Sequence, residues 1–506
     1  MRYFAILLAS LLLVPLIGSG QDLVKDIDQY IIKARQDWQV PGMAVAIVKD
    51  DEVLLSRGYG VKKSGGNDRV DEKTLFAIAS NTKAFTSAAL STLVEQNAIN
   101  WSDKVKSFLP DFELYDHYTT EETTVKDLLC HRVGLGTYSG DLMWYKSKLS
   151  AGQLIPKLKY VPPKYDFRDG YGYSNLMFIA AGEVIKAVSG KPWNVFIDSA
   201  FFDPLGMHET ITSTSTLISK ENVATPHKPF HDGNQPIDWI NWDNMGSAGA
   251  IISNIDDMAQ WLTLQLNAGV FKEDTLIHPN QHQYMWSVQN PRMLSKYDQG
   301  IVPGRTYKGY GLGWNISDYR KKTLIEHGGG YDGMYSKVMM VPEENLGIVI
   351  LTNSMKGISN PLCYYIIDRF LMADHFDWST FALNYQGSGS SDRIETLKEG
   401  RQKKTKPTAK FSDYAGTYYS EMHGEVTIKE KDGNLTLEFA NAPRLGANLV
   451  HWHFDTWEIK WTETHAWFDF GLLQFQFDTN HHVSGLHFDV PNYDIFFDEV
   501  DLVKTK

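Results

Sequence analysis

Apolar and polar positions along the first 385 residues predict strands at both ends of this region and helices between them. Residues 43–48 form a continuous apolar run that predicts a strand buried on both faces, and residues 53–59 follow after a polar turn, which indicates a hairpin. Four further apolar stretches have the length of strands: residues 310–314, 323–327, 335–341 and 346–351. The first hairpin is therefore expected to join the last strands in one sheet.

Helical spacing of apolar residues dominates the middle of the region. It occurs in residues 21–39, 80–94, 124–130, 154–160, 176–188, 193–202, 255–266 and 362–372. A long polar stretch spans residues 212–243, and loops of this length usually have a function or are covered by a partner. These patterns predict an α/β domain over residues 21–385.

A change of composition separates this domain from a second one. Residues 386–391 read Gln-Gly-Ser-Gly-Ser-Ser, and with the charged run 401–406 they predict a linker over residues 386–407. From residue 408 to 506, apolar pieces of strand length alternate with turn residues. These pieces are residues 426–429, 435–439, 457–461, 472–477 and 493–497. The pattern indicates a small all-β barrel or sandwich.

Ser80 and Lys83 stand at the expected start of the helix over residues 80–94. Serine is favoured at a helix start, and the spacing of three residues puts the hydroxyl and the ammonium on one face. A serine hydroxyl becomes a good nucleophile when a base takes its proton, and a buried lysine can be that base because desolvation lowers its pKa. Since S-x-x-K is common by chance, the alternative is a capped helix with a solvated lysine.

Charge and targeting signals limit the function further. The 506 residues carry a net charge of -12, which argues against nucleic acid as a partner. Arg2, an apolar run from Phe4 to Ile17 and the small residues 18–20 predict a secretory signal peptide over residues 1–20. No other stretch is long and apolar enough to span a membrane. We therefore expect a secreted or periplasmic protein whose mature chain begins near Gln21.

Three short motifs occur in the order Ser80-x-x-Lys83, Tyr173-x-Asn175 and His327-Gly328-Gly329. In order and spacing they resemble the serine β-lactamase and penicillin-binding-protein superfamily, and the class C-related branch in particular. The resemblance covers about residues 25–375. It implies a β-lactamase/transpeptidase-like α/β fold, with an antiparallel sheet flanked by helices and a helical subdomain. The C-terminal region resembles the lipocalin-like β-barrel domain that some members carry.

The resemblance also assigns catalytic roles. Ser80 would be the nucleophile that forms an acyl-enzyme, and Lys83 would deprotonate it or keep its surroundings electropositive. Tyr173 would shuttle the proton to the leaving group and then activate water. Tyr171 is a neighbour that could be confused with Tyr173, but only Tyr173 has an asparagine two residues later.

Substrate-binding and oxyanion roles would fall to four residues: Asn175, His327, Gly329 and Gly330. Asn175 would orient Lys83 and a substrate amide. His327 replaces the lysine of the penicillin-recognising pattern and would face a substrate carboxylate. With an ordinary pKa of about 6.5, its imidazole is expected to be partly charged near neutral pH. The backbone N–H groups of Gly330 and Ser80 would form the oxyanion hole.

Other histidines and the two cysteines have simpler interpretations. His131 is expected to stabilise a turn. His451, His453, His481 and His482 suggest a metal only by their number, and in a β domain they are expected on solvated faces, so no metal or other cofactor is predicted. Cys130 and Cys363 could form a disulfide or remain two buried free thiols.

The leading functional hypothesis is an exported serine hydrolase that acts through an acyl-enzyme on a small peptide, amide or ester. D-aminopeptidase, D,D-carboxypeptidase and esterase activities all fit this hypothesis. A true class C-like β-lactamase is a second possibility, which the His-Gly-Gly motif and the extra domain argue against. An inert binding or sensor module is a third, which the intact Ser80, Lys83 and Tyr173 argue against. The expected partner is a small-molecule or peptide substrate.

Overall fold

The structure is a computed structural model that describes residues 20–230, 233–302, 304–385 and 389–505. The predicted signal peptide, apart from Gly20, lies outside the described residues. Within them the chain forms two domains, an N-terminal α/β domain and a C-terminal barrel. None of the helices in these four ranges combines the length and the apolar character needed to cross a membrane.

The N-terminal domain begins and ends with elements of its main sheet. Its first elements are α1 (Gly20–Asp37), β1 (Gly42–Lys49), β2 (Glu52–Gly60), β3 (Phe76–Ala77) and α2 (Thr82–Glu95). Its middle consists of α3 (His117–Glu122), α4 (Val125–Leu129), α5 (Ala151–Leu154), α6 (Asn175–Ser189), α7 (Trp193–Ile197), α8 (Asp203–Leu205), β4 (His227–Phe230), β5 (Gly233–Pro236), α9 (Gly246–Gly249), β6 (Ile252–Ser253) and α10 (Ile255–Leu266). The remaining elements are β7 (Val270–Phe271), β8 (Asp274–Thr275), α11 (Pro279–Met285), β9 (Asn290–Arg292), α12 (Lys296–Ile301), β10 (Lys308–Tyr310), β11 (Asn315–Tyr319), β12 (Lys322–Tyr331), β13 (Met334–Val341), β14 (Leu346–Thr352), α13 (Ser359–Phe370) and α14 (Trp378–Asn384).

The main sheet joins the two ends of the domain. Its eight strands follow the order β2-β1-β14-β13-β12-β11-β10-β9, and all neighbouring strands are antiparallel. In β1, Met43 pairs with Thr352 and Lys49 with Leu346 of β14. The predictions of an antiparallel sheet flanked by helices, and of a first hairpin joined to the last strands, are therefore confirmed.

Both faces of β1 are covered, as its continuous apolar run predicts. Val45 and Ile47 pack in the core that also contains residues of α1 and α13. Ala44 and Ala46 face the other way, into the core that contains residues of α2 and α10. A strand with two buried faces needs apolar residues at every position, which accounts for its sequence.

One strand of the sheet was predicted in the wrong place. The expected strand over residues 310–314 is instead the end of β10 followed by a turn, and β11 begins only at Asn315. The turn occurs at Gly313, whose φ of 79° is unfavourable for other residues. A Cβ atom at this position would lie 2.8 Å from the backbone oxygen of Lys83. Gly313 therefore lets the turn pack closely against α2.

The C-terminal domain is a closed eight-stranded barrel, preceded by α15 (Gly389–Glu399) and α16 (Phe411–Tyr414). Its strands are β15 (Gly416–Ser420), β16 (Gly424–Lys431), β17 (Asn434–Phe439), β18 (Ala447–His453), β19 (Thr456–Trp461), β20 (Leu472–Phe477), β21 (Val483–Asp489) and β22 (Leu502–Lys504). Most of the predicted linker that the structure describes is thus occupied by α15. The barrel that the sequence predicted is confirmed.

The predicted strand over residues 493–497 is wrong. Residues 490–496 have no regular structure, and a 3₁₀ helix follows at Phe497–Glu499. The side chain of Asn492 accepts from the backbone N–H groups of Asp494 and Ile495 and donates to the carbonyls of Val490 and Ile495. These local hydrogen bonds replace those of a strand ladder, although the residues are apolar enough for a strand.

Candidate active site

Ser80 lies on a tight turn between β3 and α2. The turn is a 3₁₀ helix over Ala79–Asn81, and α2 starts after it at Thr82. Ala79 has a φ of 48°, a left-handed conformation that is uncommon for any residue other than glycine. Ser80 does not cap the helix as the sequence suggested, because the turn intervenes and its hydroxyl faces Lys83 instead. The side chain of Ser80 is half-buried, so it can be reached from solvent.

Lys83 is fully buried next to Ser80. Its Nζ atom lies 3.0 Å from Ser80 Oγ, 2.7 Å from Asn175 Oδ1 and 2.8 Å from the backbone oxygen of Ala248. Burial lowers the pKa of Lys83 well below its ordinary value, and the carboxylate of Asp141 acts in the opposite direction. The sequence-based alternative of a solvated lysine is therefore wrong.

Asn175 connects Lys83 to the carboxylate of Asp141, which was not among the predicted site residues. Asn175 begins α6, and its Nδ2 donates to Asp141 Oδ2 at 2.6 Å. Asp141 is 2% exposed and begins a 3₁₀ helix over Asp141–Met143. No motif in the sequence marks Asp141, because the fold brings it to Asn175 from a loop 34 residues earlier.

Tyr173 faces the same pair of residues from the other side. Lys83 Nζ lies 4.8 Å from the centre of its ring. Burial raises the pKa of Tyr173 well above its ordinary value, while the Ser80 hydroxyl acts to lower it. Tyr171 also lines the cavity, but its ring is stacked by Arg292, whose guanidinium carbon lies 3.8 Å from the ring centre. Tyr173 is thus the tyrosine that approaches Ser80 and Lys83.

His327 lies in β12 and is only 2% exposed. Its Nδ1 is 2.7 Å from the carbonyl oxygen of Gly328, and its Nε2 is 2.8 Å from the hydroxyl of Tyr310. A carbonyl can only accept, so Nδ1 carries the proton and Nε2 accepts from Tyr310. Burial, with a smaller contribution from Lys83, lowers the pKa of His327 to about 3. The expected partial charge at neutral pH is therefore wrong, because burial was not visible in the sequence.

Two glycines of β12 allow close contacts, Gly329 with the turn that carries Ser80 and Gly330 with the barrel. A Cβ atom on Gly329 would lie 2.1 Å from the carbonyl oxygen of Ile78, which only a glycine avoids. A Cβ atom on Gly330 would lie 3.1 Å from the ring of Trp467 in the barrel. The glycines that follow His327 therefore lie where β12, the turn that carries Ser80 and the barrel come into contact.

The site residues predicted from the sequence surround one cavity of about 410 Å³. Six of them line it, namely Ser80, Tyr173, Asn175, His327, Gly329 and Gly330, and Lys83 is buried directly beneath. The barrel also contributes Trp467, Asp494 and Ile495 to the lining. Burial raises the pKa of Asp494 to about 6. These three barrel residues were missed because they lie on loops without a motif.

The other candidate residues stabilise local structure. His131 is buried, and its Nδ1 accepts from the backbone N–H of Ser174, so it fixes the segment just before Asn175. His451 and His453 bind backbone groups of Phe454 and Gln402. Among the described residues, no group of three or more His, Cys, Asp or Glu is arranged to hold a metal ion. Cys130 and Cys363 are buried free thiols and do not form a disulfide.

Comparison with known proteins identifies relatives of both domains. The Beta-lactamase family model matches residues 27–364, and a domain of unknown function, DUF3471, matches residues 400–504. An unguisins hydrolase from Aspergillus campestris is 28% identical over 442 residues, covering 81% of this chain and 78% of that protein. Protein flp from Staphylococcus aureus is 24% identical over 345 residues, covering 66% of this chain and 63% of that protein.

A solved structure has the same fold. The octameric penicillin-binding protein homologue from Pyrococcus abyssi superimposes with a TM-score of 0.61 at 18% identity, covering 95% of this chain and 100% of that chain. The likeness thus extends over both domains, and the family match covers more than half of the chain. The chain therefore belongs to the Beta-lactamase family of serine hydrolases.

Proposed function

We propose that this protein is an exported serine hydrolase that forms an acyl-enzyme on Ser80 with a small peptide, amide or ester. The observation that carries this proposal is the buried amine of Lys83, 3.0 Å from the Ser80 hydroxyl. A lysine in this environment is suited to take a proton, because its neutral form is favoured by burial.

The hydrogen-bond partners of Lys83 support the role of general base. A neutral amine has two N–H groups and one lone pair. The amide oxygen of Asn175 and the carbonyl of Ala248 can only accept, so they take the two hydrogens. The lone pair then faces Ser80 Oγ, which can donate its proton to Lys83.

Tyr173 and two backbone N–H groups would complete the reaction. Tyr173 lies beside both Ser80 and Lys83, so its hydroxyl can pass the proton to the leaving group and later activate water. The backbone N–H groups of Ser80 and Gly330 are the proposed oxyanion hole, because they belong to the turn and the strand that meet at the nucleophile.

The charges around the cavity favour a neutral substrate group over a carboxylate. His327 is neutral above its pKa of about 3, and Asp494 is negative above its pKa of about 6. Lys337 lines the cavity, but its charge is paired with Glu326 at 2.6 Å. We therefore favour peptides, amides and esters over penicillins, which carry a carboxylate. The relative named as an unguisins hydrolase also supports a hydrolytic reaction.

Labelling with a fluorophosphonate probe tests the nucleophile. The parent protein should be labelled, and the Ser80→Ala variant should not, while its thermal unfolding stays that of the parent. Labelling of Ser80→Ala at the parent rate would remove Ser80 from this role. Turnover of a panel of esters, D-amino-acid peptides and penicillins would then rank the substrate classes, and penicillins as the best substrates would contradict the preference for neutral groups.

Export is proposed from the N-terminal sequence alone. Arg2, the apolar run and the small residues 18–20 are typical of a signal peptide. Sequencing the N-terminus of the protein recovered from outside the cytoplasm should give a start near Gln21. A protein that keeps Met1 and stays in the cytoplasm would contradict the proposal.

A further inference from the structure

The loop over residues 137–141 connects the barrel to the catalytic lysine. On one side, Glu499 of the barrel accepts hydrogen bonds from the hydroxyl of Ser139 and, at 2.7 Å, from the backbone N–H of Gly140. On the other side, the next residue, Asp141, accepts from Asn175 at 2.6 Å. Asn175 in turn contacts Lys83 at 2.7 Å. Hydrogen bonds and the peptide bond between Gly140 and Asp141 thus lead from the barrel to the proposed base.

We propose that Asp141 is a positioning residue for the general base Lys83, acting through Asn175, and that Glu499 of the barrel holds Asp141 in place. The inference rests on the proposed function, since it assumes that Lys83 deprotonates Ser80. In this proposal the barrel does more than line the cavity, because Glu499 helps to position the general base.

Asp141 acts by fixing which end of the Asn175 amide faces Lys83. A carboxylate accepts hydrogen bonds but cannot donate them, so Asp141 binds the NH₂ end of the amide. The oxygen end must then point to Lys83 and take one of its N–H groups. If the amide were reversed, its NH₂ would compete for the lone pair of Lys83 that Ser80 needs.

Asp141 also influences the charge of Lys83. Burial raises the pKa of Asp141 to about 7, and Asn175, Trp144 and Lys83 act to lower it, while Glu499 raises it. Tyr138 and Tyr173 are the other titratable groups that face Asp141. His131 and His327 face Lys83 and are both neutral, because burial lowers the pKa of each far below its ordinary range. Asp141 is therefore the carboxylate that influences the protonation of Lys83.

Glu499 is well suited to hold this loop. It is partly buried in the 3₁₀ helix Phe497–Glu499, and Gly140 has a φ of 79°, so the loop turns sharply just before Asp141. The two hydrogen bonds to Glu499 fix that turn from outside the N-terminal domain. Hydrogen bonds to an ionised carboxylate are stronger than those between neutral groups, so replacing Glu499 by Gln should loosen the loop without a change of size.

The test is the second-order rate of fluorophosphonate labelling between pH 5.5 and 9, measured on the full-length protein with the variants Asp141→Asn and Glu499→Gln. Asp141→Asn should lower the rate at pH 8 by about 10–100-fold, because the base loses its orientation. Glu499→Gln should lower it by about 3–10-fold. Asp141→Asn should move the midpoint of the pH profile to lower pH, because it removes the carboxylate that raises the pKa of Lys83. Glu499→Gln should also move it to lower pH, because it removes a charge that raises the pKa of Asp141, which is then ionised from a lower pH.

Glu421→Gln is the matched control. Glu421 also reaches from the barrel to the N-terminal domain, where its carboxylate contacts the hydroxyl of Tyr160 at 3.4 Å, but neither Glu421 nor Tyr160 lines the cavity. This variant should keep the parent rate and the parent pH profile. Thermal unfolding of each variant shows whether it folds. If Asp141→Asn does not fold, the result for Glu499→Gln decides the test.

Each outcome gives a decision. Slower labelling with a shifted midpoint supports the proposal. Labelling at the parent rate, or a uniform loss at every pH without a shift, overturns it while the proposed function stands. A parent protein that is not labelled on Ser80 overturns the proposed function and this inference with it.

Discussion

The two walls of the cavity are built in different ways. The wall from the N-terminal domain carries two of the proposed active-site residues at the ends of regular elements, Lys83 in the first turn of α2 and Asn175 at the start of α6. The wall from the barrel carries Trp467 and Asp494 on the segments between strands. Lys83 and Asn175 thus lie on rigid elements, while loops of the barrel shape the space for the substrate.

The barrel wall is nevertheless firmly attached. Lys228 of the N-terminal domain donates to the backbone carbonyls of His465 and Phe468 and to Asp469, on either side of Trp467. The Nζ atom of Lys146 lies 2.7 Å from Nδ1 of His465. These contacts hold the loop in place, so the barrel wall should behave as a fixed surface and not as a lid.

Removing the Tyr173 hydroxyl should have the largest effect in this comparison, because it acts on the reacting wall. Tyr173→Phe keeps the ring and should lower kcat by about 10²–10⁴-fold, the usual contribution of general acid–base catalysis. Steady-state turnover of a neutral ester measures this loss. Tyr171→Phe is the control and should change kcat little. A loss below tenfold in Tyr173→Phe would assign the proton transfer to Lys83 alone or to water.

Truncating Trp467 should have a smaller effect, on binding more than on chemistry. Trp467→Ala removes the ring that covers Gly330, so KM for an amide or ester with a bulky acyl group should rise about tenfold while kcat changes little. Phe454→Ala, which alters an exposed aromatic residue of the barrel, is the control. If kcat of Trp467→Ala falls as far as kcat of Tyr173→Phe, the division into a catalytic wall and a substrate-binding wall is wrong.

Asp494→Asn should change the pH dependence of binding for charged substrates. In the parent, the carboxyl is neutral below about pH 6 and negative above it, so KM for a carboxylate-bearing ester should rise as pH increases through 6. The rise should be about twofold to fivefold and should decrease with added salt. Asp494→Asn should remove it, and the matched neutral ester should show no such dependence in either protein. An unchanged profile in the variant would exclude Asp494 as its source.

His327 should have the smallest effect on the pH dependence of KM. Its pKa of about 3 lies below the assay range, so it is neutral between pH 5.5 and 8. In the Asp494→Asn background, the pH dependence of the KM ratio for the acid and the neutral ester should therefore be the same with His327 and with His327→Gln, because any dependence that remains comes from Asp141, which also lines the cavity and has a pKa of about 7. A dependence that His327→Gln removes would indicate that His327 titrates in this range after all.

The sequence predicted most of the cavity wall that the N-terminal domain forms, and little of the wall that the barrel forms. Ser80, Lys83, Tyr173 and Asn175 belong to short motifs whose order resembles that of a known family, and this resemblance predicts a shared site. Asp141 and Trp467 reach the cavity through contacts between segments distant in the chain, and no local pattern indicates them. The charge of His327 was misjudged for a related reason, since burial of a β12 side chain depends on the loops that cover it.

For the fold, too, the sequence predicted some elements correctly and missed others. The apolar run of β1 and the closing strands were recognisable, because a strand buried on both faces has a distinctive sequence. The start of β11 was missed because Gly313 places a turn inside an apolar stretch. In the barrel, the Asn492 side chain replaces strand hydrogen bonds, so an apolar sequence does not form a strand there.

Peptide mapping by mass spectrometry after reaction with a slowly hydrolysed ester tests the role of Ser80 most directly. A single acyl adduct is expected on the peptide containing Ser80 in the parent. The adduct should form more slowly in Tyr173→Phe and should be absent in Ser80→Ala. An adduct on another residue, or turnover by Ser80→Ala at the parent rate, would contradict the central claim that Ser80 is the nucleophile activated by Lys83.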